Sequence, residues 1–360
     1  MRITHLTLRN FRCFESLELD ITNPLLVIEG PNGSGKSSIA EALYYGCYLK
    51  SFRTHRAGDV VRCSDEGDAG FFLRLHGLLA DGDTYTIQVG FEDGAKRIKV
   101  NDTVITTYKE LMDYYKVVLI SEHDLGIIQE GPEERRSFIN QLCVLQDPTI
   151  AELLRLNKHM VSQRTQLLMN GQCHDDHFVL WTQQLWDNSI EIINRRRAGL
   201  TLLQQEINFL VSHLGLELPP ITLAYKQKGG EYQDFASFWA DYQKTTLAQE
   251  MHQRRTLFGC HLDDIVINFG DKNARLYASR GQQKLIVLLL KCAMIRVIQR
   301  QAGQSRTVLF VLDDFVTDLD KKVIAASLAM VQSLGCGIVV TCPLADMVQF
   351  STPFQVVKLG

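Results

Sequence analysis

The 360-residue chain contains no run of 18 apolar residues, so no helix able to span a bilayer is expected. Its start, MRITHLTLRN, has no apolar h-region and no small-residue cleavage site, which argues against a signal peptide. No two of its nine cysteines are spaced as Cys-x-x-Cys. A zinc knuckle or a disulfide framework is therefore not expected, and buried free thiols in a reducing cytoplasm are the plainer reading. An excess of basic charge is also missing: 38 Lys and Arg stand against 41 Asp and Glu, a formal net charge of −3. Any nucleic-acid site must then be a local patch, or one completed by a second copy. Internal repeats and low-complexity segments are absent as well.

What is present is an ordinary globular composition, 46% hydrophobic and 22% charged. The length suits one large subdivided domain or two. Alternating apolar positions predict strands around Thr4–Leu8 and Leu17–Ile21, and the apolar run Leu25–Glu29 reads as a buried strand before a helix over Ser38–Tyr48. Residues 70–105 read as a meander with Asp-Gly-Asp, Glu-Asp-Gly and Asn-Asp turns. Lys116–Ser121 is a further apolar strand. Gly131-Pro132-Glu133-Glu134 and Asp147-Pro148 are helix starts. Helical rhythm continues through Ile150–Leu168, Trp181–Ile193, Leu200–Leu214 and Phe235–Leu257, too broken by Gly and Pro for a long coiled coil. IVINF and ARLYA, joined by Gly-Asp-Lys-Asn, read as a hairpin. A helix over Gln282–Gln301, a strand Val308–Leu312, a helix near Asp320–Leu334 and strands Gly337–Thr341 and Phe354–Lys358 close the chain.

Gly30-Pro31-Asn32-Gly33-Ser34-Gly35-Lys36-Ser37-Ser38 contains the spacing G-x-x-x-x-G-K-[ST]. Its glycines let the backbone curl until successive N–H groups face phosphate oxygens, and the following helix adds its positive end. Lys36 reaches the β- and γ-phosphates of ATP, and Ser37 can ligate Mg²⁺. A chance glycine turn is the alternative, but the apolar strand before and the helix after are the context the chemistry needs. A carboxylate at the end of a buried strand must complete the metal site. Val308–Leu312 followed by Asp313 and Asp314 supplies it, with Asp313 in the Mg²⁺ role and Asp314 as the group that orients or deprotonates water. Two solvated acids at a strand end are the plainer alternative.

Lys36 and Asp313 stand most of the chain apart, unlike the arrangement in small P-loop kinases and GTPases. Between them, Ser279-Arg280-Gly281-Gln282 precedes a strong helix and resembles the signature motif of ABC ATPases. Read alone it is an N-cap. Asp318-Leu319-Asp320 resembles the D-loop of that class, with a helix-capping acid as the alternative.

The ordered set of motifs resembles the RecF family of ABC/SMC-type ATPases. It comprises Leu8-Arg9-Asn10-Phe11-Arg12, Lys50–Thr54, Ser121-Glu122-x-Asp124-Leu125, Gly131–Arg136, Gly259–Asp264, Ser279–Gln282 and Asp313–Asp320, spanning nearly the whole chain. Cys260 and Leu262 depart from the family's Pro and Arg, and Thr317-Asp318 stands where Ser-Glu is usual. No His follows Gly337–Val340, where many ABC ATPases carry a switch histidine; Thr341 is there instead, as RecF proteins also tend to have none. The resemblance implies an α/β fold: a P-loop ABC/SMC-type ATPase head in two parts, 1–121 and 258–360, with a mostly helical arm over 122–257. It implies a weak, DNA-stimulated ATPase using ATP and Mg²⁺. Two heads would close around ATP, with Lys36, Ser37 and Asp313 of one chain facing Ser279, Gly281 and Gln282 of the other, and with Arg12 and Asp320 at the nucleotide. It implies gapped or single-strand/duplex junction DNA as the ligand, RecR with RecO as partners, assistance to RecA loading, and a cytoplasmic, nucleoid-associated location.

Other readings compete. A P-loop kinase would carry a lid and no signature motif, and a nuclease would need a further acidic metal-binding segment. An SMC-like ATPase of a defence or chromosome-maintenance system, acting as a protein-interaction switch, differs in not binding DNA. His261 beside acids is more often a structural hydrogen bonder than a catalyst. Arg12 and Arg53 suit phosphates or structural acids, with phosphate favoured for Arg12. Arg195-Arg196-Arg197 fans around a helix and reads as a solvated face. Tyr48 and Phe52 read as core or adenine-pocket wall.

Overall fold

The structure is a computed structural model. It describes all residues except 1, 55, 64–69, 80–81, 107, 115, 174, 214–217, 302–307 and 316–320. In chain order the elements are β1 (Arg2–Phe11), β2 (Phe14–Asp20), β3 (Leu25–Glu29), α1 (Lys36–Tyr48), β4 (Gly70–Leu78), β5 (Thr84–Glu92), β6 (Ala95–Val100), β7 (Thr103–Ile105), α2 (Tyr108–Tyr114) and β8 (Lys116–Ile120). Then come α3 (Gly126–Gln129), α4 (Pro132–Gln146), α5 (Ile150–Met169), α6 (Asp176–His213), β9 (Ile221–Lys226), α7 (Phe235–Thr245), α8 (Leu247–Gln253), β10 (Asp264–Phe269), β11 (Lys272–Asn273) and α9 (Ala274–Tyr277). The last are α10 (Arg280–Gln301), β12 (Val308–Asp313), α11 (Lys321–Ser333), β13 (Gly337–Cys342) and β14 (Gln355–Lys358). Two compact units form: Met1–Leu125 with Phe209–Leu216 and Ser279–Gly360, and Gly126–Asn208 with Glu217–Ala278. Residues 258–278, expected with the head, thus cluster with the helical unit.

The first unit holds two sheets. An antiparallel sheet runs β2-β1-β4-β5-β6-β7, and a wholly parallel one runs β14-β3-β13-β12-β8. In the antiparallel sheet period-2 patterning buries Leu6, Leu8, Leu73, Leu75, Ile87, Val89, Ile98 and Val100 on one face. Its hairpins are tight for a local reason. Asp93 and Gly94 have φ of 49° and 79°, and Asn101 and Asp102 have 47° and 64°, the pairs of positive φ that two-residue turns need. The parallel strands are near-continuous apolar runs, as strands covered on both faces must be. Helix α1 is buried almost all round, its Tyr45 ring edge-on to Phe71 of β4 at 5.3 Å.

The second unit is mainly helical and carries the antiparallel sheet β11-β10-β9. Strand β9 was not legible in the sequence, and α6 is one 38-residue helix where two were expected. Gly199 lies inside it without breaking it; a Cβ there would stand 3.3 Å from Ile139 Cδ1 and 3.4 Å from Leu142 Cδ2, so the glycine allows close packing rather than marking a break. ARLYA is helical rather than a strand: the Asn273 side chain accepts from Arg275 N at 3.0 Å and starts a short helix after the two-residue β11. The core of this unit contains Arg164, fully buried. It donates to Thr182, Thr256 and Tyr242 and pairs with Glu250 at 2.9 Å, between the rings of Phe178 and Phe258. A buried guanidinium is tolerated only when saturated in this way.

Candidate nucleotide-binding site

Strand β3 delivers the chain into the loop at Gly30, and α1 begins at Lys36. Gly33 and Gly35 have φ of 86° and 98°, a region L side chains rarely adopt. At Gly35 a Cβ would also fall 2.5 Å from the Phe14 ring and 2.7 Å from Cys13 Sγ. Lys36, only 6% exposed, donates from Nζ to the carbonyls of Gly30 at 2.7 Å and Pro31 at 2.9 Å. The Ser34 hydroxyl is buried with no hydrogen-bond partner among the described residues. A held cation, an orphaned hydroxyl and a helix N-terminus on one short loop fit a polyphosphate.

Asp313 ends β12 and is 8% exposed. Burial raises its pKa, opposed by hydrogen bonds from Thr341 and from Ser37 in the first turn of α1. That Ser37–Asp313 contact joins the two halves of the site, one from each end of the chain. A serine hydroxyl beside a buried carboxylate is an oxygen donor pair suited to Mg²⁺. Thr341, on the intervening strand β13, donates to Asp313 Oδ1 at 2.8 Å and accepts from Asp314 N at 2.9 Å. The chain turns over at Asp314, φ 53°, so this carboxylate is exposed while Asp313 is held in. Lys284 is buried and lines the small cleft of Ser121, Asp313 and Asp314.

Ser279 is exposed at the start of α10. Its hydroxyl accepts from Gln282 N at 3.3 Å, and Gln282 Oε1 accepts from Ser279 N at 2.8 Å. This reciprocal pair is a capping box. A Cβ on Gly281 would meet nothing within 4 Å, so the approach to this helix end is open. Thr317, Asp318, Leu319 and Asp320 lie outside the described residues.

Arg12 takes a structural acid rather than an open position. It forms a two-pronged pair with the fully buried Glu41 on α1, at 2.8 and 2.5 Å, and donates to Thr54 and the Asp59 carbonyl. Glu41 also accepts from Ser51 and lies 4.0 Å from Arg53. Sequence reasoning passed over Glu41, because nothing local marks an acid inside an apolar helix as a clasp. Ser38, Arg12 and Arg53 still line one open cleft with Cys13, Thr54 and Cys63. Seven of the nine free cysteines are buried; Cys13 and Cys63 are exposed. Tyr48 is core, its hydroxyl donating to the Val117 carbonyl at 2.6 Å, and Phe52 packs edge-on to Tyr44.

The motifs of the second unit are structural. Arg135 pairs with Asp264 at 2.8 Å and Arg136 donates to the Asp263 carbonyl at 2.7 Å, so Gly131–Arg136 and Gly259–Asp264 meet. Burial, with Arg136 adding, pushes the His261 pKa down to about 4. The arginine triplet is not one solvated face: Arg195 and Arg197 are exposed and paired with Glu191 and Glu231, but Arg196 is buried and donates to the Cys260 carbonyl at 2.7 Å. One helix turn divides three consecutive side chains between core and solvent.

Two sheets enclosing α1, a phosphate loop and a Ser37–Asp313 contact define a P-loop ATPase head of the ABC/SMC type. The family model described as RecF/RecN/SMC N terminal domain matches residues 2–358, and the chain belongs to that family. It is 28% identical over 327 residues to the DNA replication and repair protein RecF of Desulfitobacterium hafniense (strain DSM 10664 / DCB-2), across 89% of this chain and 88% of that one. To the RecF of Chlorobium phaeobacteroides (strain BS1) it is 28% identical over 359 residues, 96% of each chain. A solved structure of the recombination mediator protein RecF-ATPrS in the RecFOR pathway matches with a TM-score of 0.86 at 22% identity, over 99% of this chain and 96% of that one. An SMC head bound to the C-winged helix domain of ScpA matches at 0.54 and 14% identity, over 96% and 91%. These structural likenesses show a shared fold.

Proposed function

We propose that this chain is a RecF-like, ATP-switched DNA-binding protein of recombinational repair. The observation that carries the reading is the Ser37–Asp313 contact beside Lys36, together with an exposed serine-capped helix end at Ser279. The curated relatives named RecF supply the repair context.

Lys36, Ser34, Ser38 and the loop N–H groups would bind the phosphates of ATP, and Ser37 and Asp313 would hold Mg²⁺. When bound, Mg²⁺ neutralises charge developing on the phosphates. Asp314, turned outward, orients or deprotonates the attacking water. Ser279 and the N–H groups behind it are placed to receive the γ-phosphate held by a second copy, so closure of two heads is ATP-dependent. Arg12 acts behind this site by fixing α1 through Glu41, not as a phosphate ligand. A hydroxyl, Thr341, where a switch histidine would act as a general acid–base fits slow turnover; its stimulation by DNA is part of the same reading and rests on the resemblance to RecF. Head closure would align a surface for gapped or single-strand/duplex junction DNA. RecR, with RecO, and through them RecA, are the partners implied. The location that fits is cytoplasmic and nucleoid-associated; among the described residues no helix is long and apolar enough to cross a membrane.

The test is binding to gapped DNA with and without ATP and Mg²⁺. ATP-dependent binding is expected. An ATP-dependent dimer that ignores DNA would replace this reading with a protein-interaction switch.

A further inference from the structure

The outward face of the six-stranded sheet carries its own pattern. Register places Arg9, Phe72, Gly90 and Arg97 in one row across β1, β4, β5 and β6. The next row reads Thr7, Arg74, Gln88 and Lys99. All of these lie opposite in pleat to the buried leucines and valines; Thr7 is buried, Phe72, Arg74, Gln88 and Gly90 are half-buried, and the rest reach solvent. Arg9, Arg97 and Lys99 are exposed. Arg74 is half-buried, its Nε buried without a hydrogen-bond partner among the described residues, and its guanidinium lies 5.2 Å from the Phe72 ring centre. Acids on this face are peripheral: Glu18 and Asp20 sit on the edge strand β2, where Asp20 takes His5, and Glu92 ends β5.

A chain with a net charge of −3 therefore gathers four cations on one sheet face. None of the four has a carboxylate within ion-pair distance among the described residues. Strands about 4.8 Å apart put Arg9 and Arg97, three strands apart, roughly 14 Å from each other. That spread suits several phosphates along a strand better than one small anion. Phe72 adds what a purely electrostatic surface does not need. It is half-buried, and its neighbour Gly90 has no side chain, with only the Arg97 carbonyl oxygen, at 4.0 Å, near where a Cβ would stand. A flat ring with a guanidinium over it and a small neighbour at its flank is a stacking platform for an unpaired base. In a duplex the bases are already stacked on one another and have no use for such a platform.

We propose that this face, with Arg9, Arg74, Arg97 and Lys99 for phosphates and Phe72 for a base, is a binding surface for single-stranded DNA. The proposal rests on the DNA-binding reading above and locates its single-stranded arm. An acidic protein surface would use the cations but leave Phe72 without a role.

The experiment compares wild type with the double variant Arg97→Glu/Lys99→Glu and with Phe72→Leu. The first pair lies on exposed positions of β6, and the second keeps an apolar side chain, so both variants should fold. Binding to a labelled oligothymidylate and to a duplex of equal length is read by fluorescence anisotropy, with ATP affinity and ATP-dependent dimerisation measured in parallel. The charge reversal should weaken oligothymidylate binding at least about tenfold and flatten its salt dependence. Phe72→Leu should weaken it by about tenfold, with the salt slope unchanged. ATP affinity and dimerisation should match wild type. If wild type binds and both variants stay within about twofold of it, the surface assignment is overturned while the DNA-binding reading stands. Equal losses on duplex and single strand would overturn the single-strand specificity. A wild type that binds neither DNA in any nucleotide state overturns both readings.

Discussion

The Thr341 hydroxyl donates to the Asp313 carboxylate at 2.8 Å, and the same oxygen receives the N–H of Asp314. One hydroxyl thus fixes both acids at the end of β12, holding Asp313 in and leaving Asp314 outward. Burial alone would favour protonation of Asp313. Thr341→Val keeps the shape and deletes both bonds. It should lower affinity for Mg²⁺·ATP about tenfold, with a smaller effect on nucleotide without metal, because hydrogen bonds to charged groups contribute about 1.5–3 kcal/mol. Titration calorimetry with and without Mg²⁺ checks this; equal affinities would remove Thr341 from the site.

Asp314→Asn should slow ATP hydrolysis far more than ATP binding. The carboxylate proposed to hold Mg²⁺, Asp313, remains, and only the group proposed to direct water is neutralised. The variant should accumulate as an ATP-bound dimer in sedimentation. Hydrolysis at the wild-type rate would reassign the role of Asp314.

Ser279→Arg should block ATP-dependent dimerisation and spare ATP binding by the monomer within a few fold. The side chain would fill the open approach above Gly281 and lose the hydroxyl half of the capping box. In a homodimer both composite sites are damaged at once. Normal ATP-dependent dimers on sedimentation would refute the shared-site arrangement.

Arg12→Ala should destabilise the fold by about 3 kcal/mol, because it leaves the fully buried Glu41 without its two-pronged partner. Arg12→Ala/Glu41→Leu should recover part of that loss. Thermal denaturation of the two variants distinguishes the clasp from a phosphate ligand. Unchanged stability with lost ATP affinity would favour the ligand.

His261 gives a pH dependence with a fixed sign. Its folded pKa of about 4 lies below the ordinary 6.5, so the unfolded chain takes up the proton first. Stability present above 6.5 should fall as pH drops from 6.5 towards about 4, by about 3 kcal/mol, and stop falling on this account below that. His261→Asn should flatten that part of the profile of thermal midpoint against pH. An unchanged profile would mean that other groups set it.

The sequence by itself determined whatever a short spacing can encode. The glycine loop, the capping serine at Ser279, the proline start of α4 and the Asp-Gly and Asn-Asp turns are local, since backbone dihedrals and i-to-i+3 hydrogen bonds join near neighbours. The apolar runs announced the parallel strands, though not their order. Only the tertiary structure decided the pairs made by distant segments. Thr341 reaches Asp313 because β13 lies between β3 and β12. Arg12 meets Glu41 because β1 brings its end to α1, and Arg196 is buried because one face of α6 meets the Cys260 carbonyl. Likewise, Arg9, Phe72 and Arg97 are scattered in sequence and form one row only after four strands pair in register. A residue's type fixes what bonds it can make; which partner stands opposite is set by strand order and register, and those depend on the burial of the whole sheet.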